Sequence, residues 1–217
     1  MIKLINLTKK YDRKIVLDNF SAELGIGAHC ITGASGSGKT TLLHVILGIV
    51  KPDSGEVVFA DAENDFEQPS FDKPSFAAVF QEDRLCENIS AVKNVCLVCP
   101  KKFPKETIIA ELTAAGLGDS LYKPAATLSG GMKRRVCIVR GLITNADIII
   151  MDEPLKGLDS ELKTEIVSYI KEKVKDKIFI FVTHDKTEAE LLGARLYEFT
   201  SQRLRSLDCP SGLPVSG

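Results

Sequence analysis

Apolar positions recur along the chain in two rhythms. The opening, Ile2-Lys3-Leu4-Ile5-Asn6-Leu7-Thr8-Lys9-Lys10-Tyr11, alternates apolar and polar and predicts an edge strand. Residues 15–24 predict a second strand, which turns at Gly25 and Gly27 into a short buried strand over Ala28–Thr32. A helix with one apolar face is expected from Thr41 through Leu47. Pro52-Asp53-Ser54-Gly55 is a turn signal leading into the strand Glu56–Phe59. Residues 61–74 are polar, acidic and proline-containing and read as a surface loop; Phe76–Phe80 then forms a buried strand ending at Gln81.

From Glu82 to Leu142 the texture becomes helical. Residues 88–98 and 105–115 carry helical spacing, separated by Pro100 and Pro104, and Ser129 opens a further helix. Strand texture returns at Asp147–Met151, followed by a helix over 160–174, the strand Ile178–Val182, a short helix from Thr187 and a last strand over Leu196–Phe199. Alternating helices and continuous apolar strands argue for a largely parallel sheet covered on both faces. The expectation is one α/β domain over 1–200, with a core of 1–81 and 142–200, a helical subdomain at about 82–141, and a loose tail over 201–217.

Composition narrows the class. A net charge of −1 over 217 residues gives no nucleic-acid footprint. Met1–Asn6 turns polar too soon for a secretory signal, and no apolar run approaches a membrane span, so a soluble chain is expected. The six cysteines are scattered, and the lone Cys96-Leu97-Val98-Cys99 lacks two further ligands nearby for zinc; reduced thiols in a cytoplasmic protein are expected.

The chemistry centres on Gly33-Ala34-Ser35-Gly36-Ser37-Gly38-Lys39-Thr40, with Thr41 behind it, between a strand and a helix. Glycines let the backbone N–H groups turn inward round a phosphate, and the helix start adds free N–H groups and its dipole. Lys39 then reaches the β- and γ-phosphates, and the Thr40 hydroxyl ligates Mg²⁺. A glycine–serine linker is the plain alternative, but linkers are not bracketed by strand and helix and do not end in Lys-Thr. Kinases, GTPases and motor ATPases all remain open on this loop alone.

The second half of the chain narrows the choice. Ile148–Met151 ends in Asp152 and Glu153. A carboxylate at a strand tip beside such a loop holds Mg²⁺ through water, the role Asp152 fits. Glu153 is placed to act on an attacking water, as general base or as its orienter. Leu128-Ser129-Gly130-Gly131-Met132 precedes a helix whose first turn Ser129 caps, and its glycines leave N–H groups bare for a second anion. The basic run Lys133-Arg134-Arg135 reads as a solvated helix start.

With these motifs in order, the chain resembles the ATP-binding cassette (ABC) ATPase family over nearly its whole length. The resemblance implies a phosphate-loop NTPase (RecA-like) core with a mostly parallel sheet, an N-terminal antiparallel β part and an inserted helical subdomain. It implies that Tyr11 stacks on adenine, that residues 33–41 bind the phosphates, and that Gln81 with Thr40 and Asp152 ligates Mg²⁺. It also implies that Ser129, Gly130, Gly131 and Met132 serve the partner's ATP, that Asp159 belongs to the Gly157-Leu158-Asp159 loop, and that His184 is a switch histidine; Glu153, His184, Gln81 and Lys39 form the catalytic set. Taken alone, Tyr11, Gln81 and His184 would be ordinary surface residues; His29 and His44 match nothing and read as structural. Met132 stands where the family usually has Gln, a departure that predicts altered affinity or rate without loss of the site; Lys156 and Gly157 are also less usual, but Asp159 stands.

The same resemblance implies a dimer, of this chain or with a paired ABC subunit, closing on two ATP molecules. It implies separate integral membrane permease subunits, an extracytoplasmic solute-binding protein reached through the permease, no nucleic acid, and a place on the cytoplasmic face of the cell membrane. Residues 80–85 and 183–190 look most like importers of the nitrate, sulfonate and taurine group. The runner-up is a soluble ABC ATPase of DNA repair, chromosome structure or translation, but such proteins usually carry two cassettes, coiled-coil insertions or zinc modules.

Overall fold

The computed structural model describes residues 1–12, 14–59 and 74–207. In chain order the elements are β1 (Ile2–Tyr11), β2 (Lys14–Leu24), β3 (Gly27–Thr32), α1 (Lys39–Ile46), β4 (Ser54–Phe59), β5 (Phe76–Val79), α2 (Ala91–Cys96), α3 (Lys105–Ala114), α4 (Gly130–Leu142), β6 (Ile148–Asp152), α5 (Ser160–Lys173), β7 (Ile178–Val182), α6 (Thr187–Leu192), β8 (Arg195–Phe199) and β9 (Leu204–Ser206). Short 3-10 turns at Gly118–Ser120 and Ala125–Thr127 lead into α4. The polar stretch expected to be a loop at 61–74 lies, up to residue 73, outside the described residues.

Two compact units divide the chain: Met1–Lys73 with Val182–Gly217, and Pro74–Phe181. In the first, β1 pairs antiparallel with β2 and with β4, Leu4 facing Ala22 on one side and Val57 on the other. The predicted alternation holds: Ile2, Leu4 and Leu7 are buried while Ile5 and Asn6 face out. β3 pairs parallel with β8, Cys30 opposite Leu196 and Ile31 opposite Tyr197. Parallel strands need a crossover between them, which explains why so much chain separates the two. The rings of Phe20 and Phe199 meet at 5.6 Å in this unit's core.

The second unit holds β5 parallel to β6, Ala78 opposite Ile150 and Val79 opposite Met151. All five residues of β6, and all five of β7, are buried, as continuous apolar strands covered on both faces must be. α4 approaches β5 so closely that a Cβ on Gly141 would lie 2.8 Å from a Val79 methyl, which would have to shift to admit a larger residue.

Side-chain caps start the helices where the polar signals stand. Ser90, Ser129 and Asp159 accept from Lys93, Met132 and Leu162 N–H groups at 3.3, 3.3 and 3.0 Å. Each such cap stabilises its helix by about 1 kcal/mol. α2 is shorter than the helical spacing of 88–98 predicts, because the Ser90 cap fixes its start.

Two expectations are corrected. Beyond Thr200 the chain is not loose throughout: Leu204–Ser206 pairs antiparallel with β8, Phe199 opposite Leu204; residues 208–217 lie outside the described residues. The basic run 133–135 is not a solvated helix start either. Arg134 and Arg135 are 3% and 4% exposed, and only Lys133 stays half-open, 3.4 Å from Glu87.

Candidate active site

Strand β3 ends at Thr32, and the Gly33–Thr40 loop turns from it into α1. Gly33, Gly36 and Gly38 have φ of 154°, 69° and 112°, in the region that favours glycine. Gly38 is also pinned by packing, since a Cβ there would collide with the Val16 side chain. The Lys39 amine curls back over the loop and donates to the carbonyls of Gly33 and Ala34 at 2.8 and 2.9 Å, although the residue is largely buried. Lys14, on β2, donates to the Gly36 carbonyl at 3.0 Å. Two amines therefore border this loop, and Lys14 escaped the motif because it lies on a neighbouring strand. The Ser37 hydroxyl is buried and has no hydrogen-bond partner among the described residues. A buried hydroxyl lacking a partner is costly unless a ligand oxygen meets it, so this loop suits an anion.

Of the other expected residues in this unit, Ser35 and Thr40 are exposed, Thr41 is half-buried, and Tyr11 is 45% exposed at the end of β1, with the Lys9 amine 5.6 Å from its ring. His184 is exposed just past β7, where Thr183 is buried. His29 is a core residue as expected: its Nε2 lies 2.8 Å from the Gly25 carbonyl, and burial lowers its pKa, opposed by that contact.

In the second unit, Asp152 ends β6 and is buried, with Glu153 half-buried after it. Glu153 has φ of 51°, a left-handed conformation costly for a residue carrying a Cβ. Gln81 is exposed just past β5. Within this unit the two carboxylates and the Gln81 amide offer oxygen donors, the kind a hard divalent cation takes. Ser129 and Gly130 are exposed and Gly131 and Met132 half-buried at the first turn of α4, whose N-terminal N–H groups make an anion-binding end. Asp159 is exposed and caps α5.

The residues missed from the sequence are the two buried arginines of α4. Arg135 donates to the carbonyls of Ala115 and Gly116 at 2.9 and 2.7 Å, closing the C-terminus of α3. Arg134 donates to the carbonyls of Phe80 (2.5 Å), Glu153 (2.8 Å), Pro154 (3.1 Å) and Asp152. About one turn on, the Cys137 thiol donates to the Asp83 carbonyl at 2.7 Å, and nearly two turns on the Arg140 guanidinium donates to the Asp83 and Arg84 carbonyls. α4 thus carries three side chains that hold the backbone following β5.

The chain is similar to known proteins in sequence and in fold. The ABC transporter family profile matches residues 17–156. The spermidine/putrescine import ATP-binding protein PotA of Mycoplasma capricolum subsp. capricolum is 32% identical over 97% of this chain and 62% of its own length. The aliphatic sulfonates import ATP-binding protein SsuB 2 of Pseudomonas syringae pv. syringae is 34% identical over 94% of this chain and 70% of its own. The chain spans about three-fifths of the length of the polyamine-import relative. Among solved structures, the dimer of the ATP-binding cassette MJ0796 in a post-hydrolysis state with ADP and Pi superposes with a TM-score of 0.79 at 28% identity, covering 95% of this chain and 97% of that one. A further dimeric structure of that cassette superposes at 0.77 with 31% identity, covering 94% and 96%. The fold is accordingly the α/β cassette fold of the phosphate-loop ATPases.

Proposed function

The chain belongs to the ABC transporter family, and from that membership we propose that it is the ATP-hydrolysing subunit of an importer, coupling closure of a dimer to a separate membrane permease. The observation that carries the reading is the Gly33–Thr40 loop, with its positive-φ glycines, two bordering amines and buried Ser37 hydroxyl. On this reading residues 33–41 take the phosphates, and Lys39 leaves its own loop carbonyls to bind the β- and γ-oxygens. Tyr11 stacks on adenine. Thr40, Gln81 and Asp152 hold Mg²⁺, which when bound offsets phosphate charge as a Lewis acid. Glu153 takes the proton of the attacking water, and His184 contacts the γ-phosphate.

Ser129, Gly130 and Gly131 serve the ATP of the partner chain, their N–H groups and the α4 dipole facing its phosphates. Met132 offers an apolar side chain where the usual Gln would add a polar contact. Asp159 belongs to the Gly157-Leu158-Asp159 loop, and the groove between the Gln81 loop and the helical block of about 82–141 takes the permease. Among the described residues no helix is long and apolar enough to cross a membrane. On this reading the pathway for solute belongs to separate permease subunits, with the chain on the cytoplasmic face of the membrane. The two import relatives carry a polyamine and a sulfonate in their names, and solute choice rests with the permease and the solute-binding protein that feeds it.

Mixing two inactive variants tests the composite site. Lys39→Ala disables the loop in cis and Ser129→Arg disables the partner's site in trans. Each homodimer is expected to hydrolyse ATP poorly. Mixed at saturating ATP and high protein concentration, they form heterodimers with one intact site, and activity returns. A Ser129→Arg chain fully active at every protein concentration would remove Ser129 from the reaction.

A further inference from the structure

We propose that Arg134 is a positioning residue for ATP hydrolysis: its buried guanidinium holds the backbone that presents Glu153 together with the backbone that presents Gln81. The inference rests on the catalytic reading of Glu153 given above.

An arginine carries five N–H donors in one plane. Here Nε donates to the Pro154 carbonyl at 3.1 Å, Nη2 to the Asp152 and Glu153 carbonyls, and Nη1 to the Phe80 carbonyl at 2.5 Å, with the Asp83 carboxylate 3.6 Å from Nη1. Four hydrogen bonds to carbonyls, with a carboxylate close by, compensate the burial of a guanidinium that is 3% exposed. Three of the acceptors are successive carbonyls, which converge on one side chain because Glu153 turns the chain at φ 51°. A left-handed residue with a Cβ, followed by Pro154, persists only where its surroundings hold it. The guanidinium does so, meeting the carbonyls on either side of that residue and its own.

The fourth carbonyl belongs to Phe80, immediately before Gln81. The ends of β5 and β6, 54 and 18 to 20 residues away in sequence, are therefore fixed to one rigid plane. That plane stands on α4, five residues after Ser129. Any displacement of the first turn of α4 is carried to the Glu153 and Gln81 backbones through this side chain. An ammonium cannot replace it, since three donors on one nitrogen do not span acceptors on two segments.

The test uses the full chain and single-turnover hydrolysis of Mg-ATP, with ATP affinity and melting temperature measured separately. Arg134→Lys, Arg134→Gln, Glu153→Gln and the double variant Arg134→Lys/Glu153→Gln are compared. Expected is a rate lower by roughly 10²-fold in Arg134→Lys, the scale of a small misplacement of reacting groups, with ATP affinity retained. Arg134→Gln, whose two N–H donors also sit on one nitrogen and which lacks the charge, falls at least as far. The double variant loses less than the two single losses combined, because Arg134 acts in part through the Glu153 carboxylate. An unchanged rate in Arg134→Lys, a loss that adds to that of Glu153→Gln, or affinity falling with rate would each overturn the proposal. Failure of both Arg134 variants to fold would overturn it too, assigning the residue to stability. If Glu153→Gln alone hydrolyses normally, the catalytic reading itself fails, an outcome seen without any Arg134 variant.

Discussion

The Tyr169 hydroxyl donates to the Glu111 carboxylate at 2.7 Å, tying α5 to α3, and the Lys173 amine closes on the other carboxylate oxygen at 2.6 Å. Tyr169 is buried, and burial together with this acceptor pushes its pKa up, so the phenol stays a donor. Tyr169→Phe removes one donor and leaves Glu111 paired with Lys173, at a cost of about 1 kcal/mol. Glu111→Ala strands a buried hydroxyl and costs more, about 2–3 kcal/mol. Thermal melts of the two variants are expected to fall in that order.

Glu153→Gln is expected to bind ATP yet hydrolyse it roughly 10²-fold more slowly, the scale of a lost positioned base. On the proposed reading the change removes a negative charge from beside the γ-phosphate, which also favours the closed pair. Gel filtration with Mg-ATP is expected to give a stable dimer for this variant; a monomer that hydrolyses at the ordinary rate would exclude Glu153 as the base.

Acid acts through Asp147. Its carboxylate accepts from the Ser75 hydroxyl at 2.6 Å and the Ser75 N–H at 2.8 Å, and these bonds, the hydroxyl first, hold its pKa below the ordinary carboxylate value. The folded state therefore binds this proton less readily than the unfolded chain. The stabilisation is complete above about pH 4 and is lost as pH falls through the lower folded value. Ser75→Ala flattens this part of the stability curve, read from urea midpoints between about pH 5 and 2. Because Asp147 is largely exposed, the effect is a fraction of that of a buried pair.

Thiol reactivity sorts the cysteines. Burial pushes the Cys137 thiol up to about 12, and its proton is given to the Asp83 carbonyl, whereas Cys86 and Cys96 are exposed. The thiolate is the reactive form. Iodoacetamide at neutral pH is expected to label Cys86 and Cys96 rapidly and Cys137 only on unfolding, read by peptide mass spectrometry.

Elements set by local pattern were legible before the structure. The alternation of β1, the apolar run of β6, the Ser129 cap and the glycines of the Gly33–Thr40 loop each declare themselves within a few residues. Arg134 and Arg135 did not, because a run of basic residues at a helix start has the composition of a solvated turn. Their acceptors are backbone carbonyls 18 to 54 residues away, and a carbonyl has no residue identity to read. Lys14 escaped for a related reason: its link to Gly36 exists only once β2 lies beside the loop. β9 was missed since three residues are too few to display a period of two, and its pairing with β8 is visible only in the fold.

That short strand has a consequence for how copies of this chain behave in a crowded solution. A parallel strand at the border of a sheet offers a row of open N–H and C=O groups to any extended segment it meets, and such rows seed aggregation. β9 occupies that row on β8 and offers only three residues in turn, with Arg205 at its centre. A five-residue border strand is exchanged for a three-residue one with a charge at its centre. Protection against unwanted strand exchange is thus built into the stretch just after Thr200.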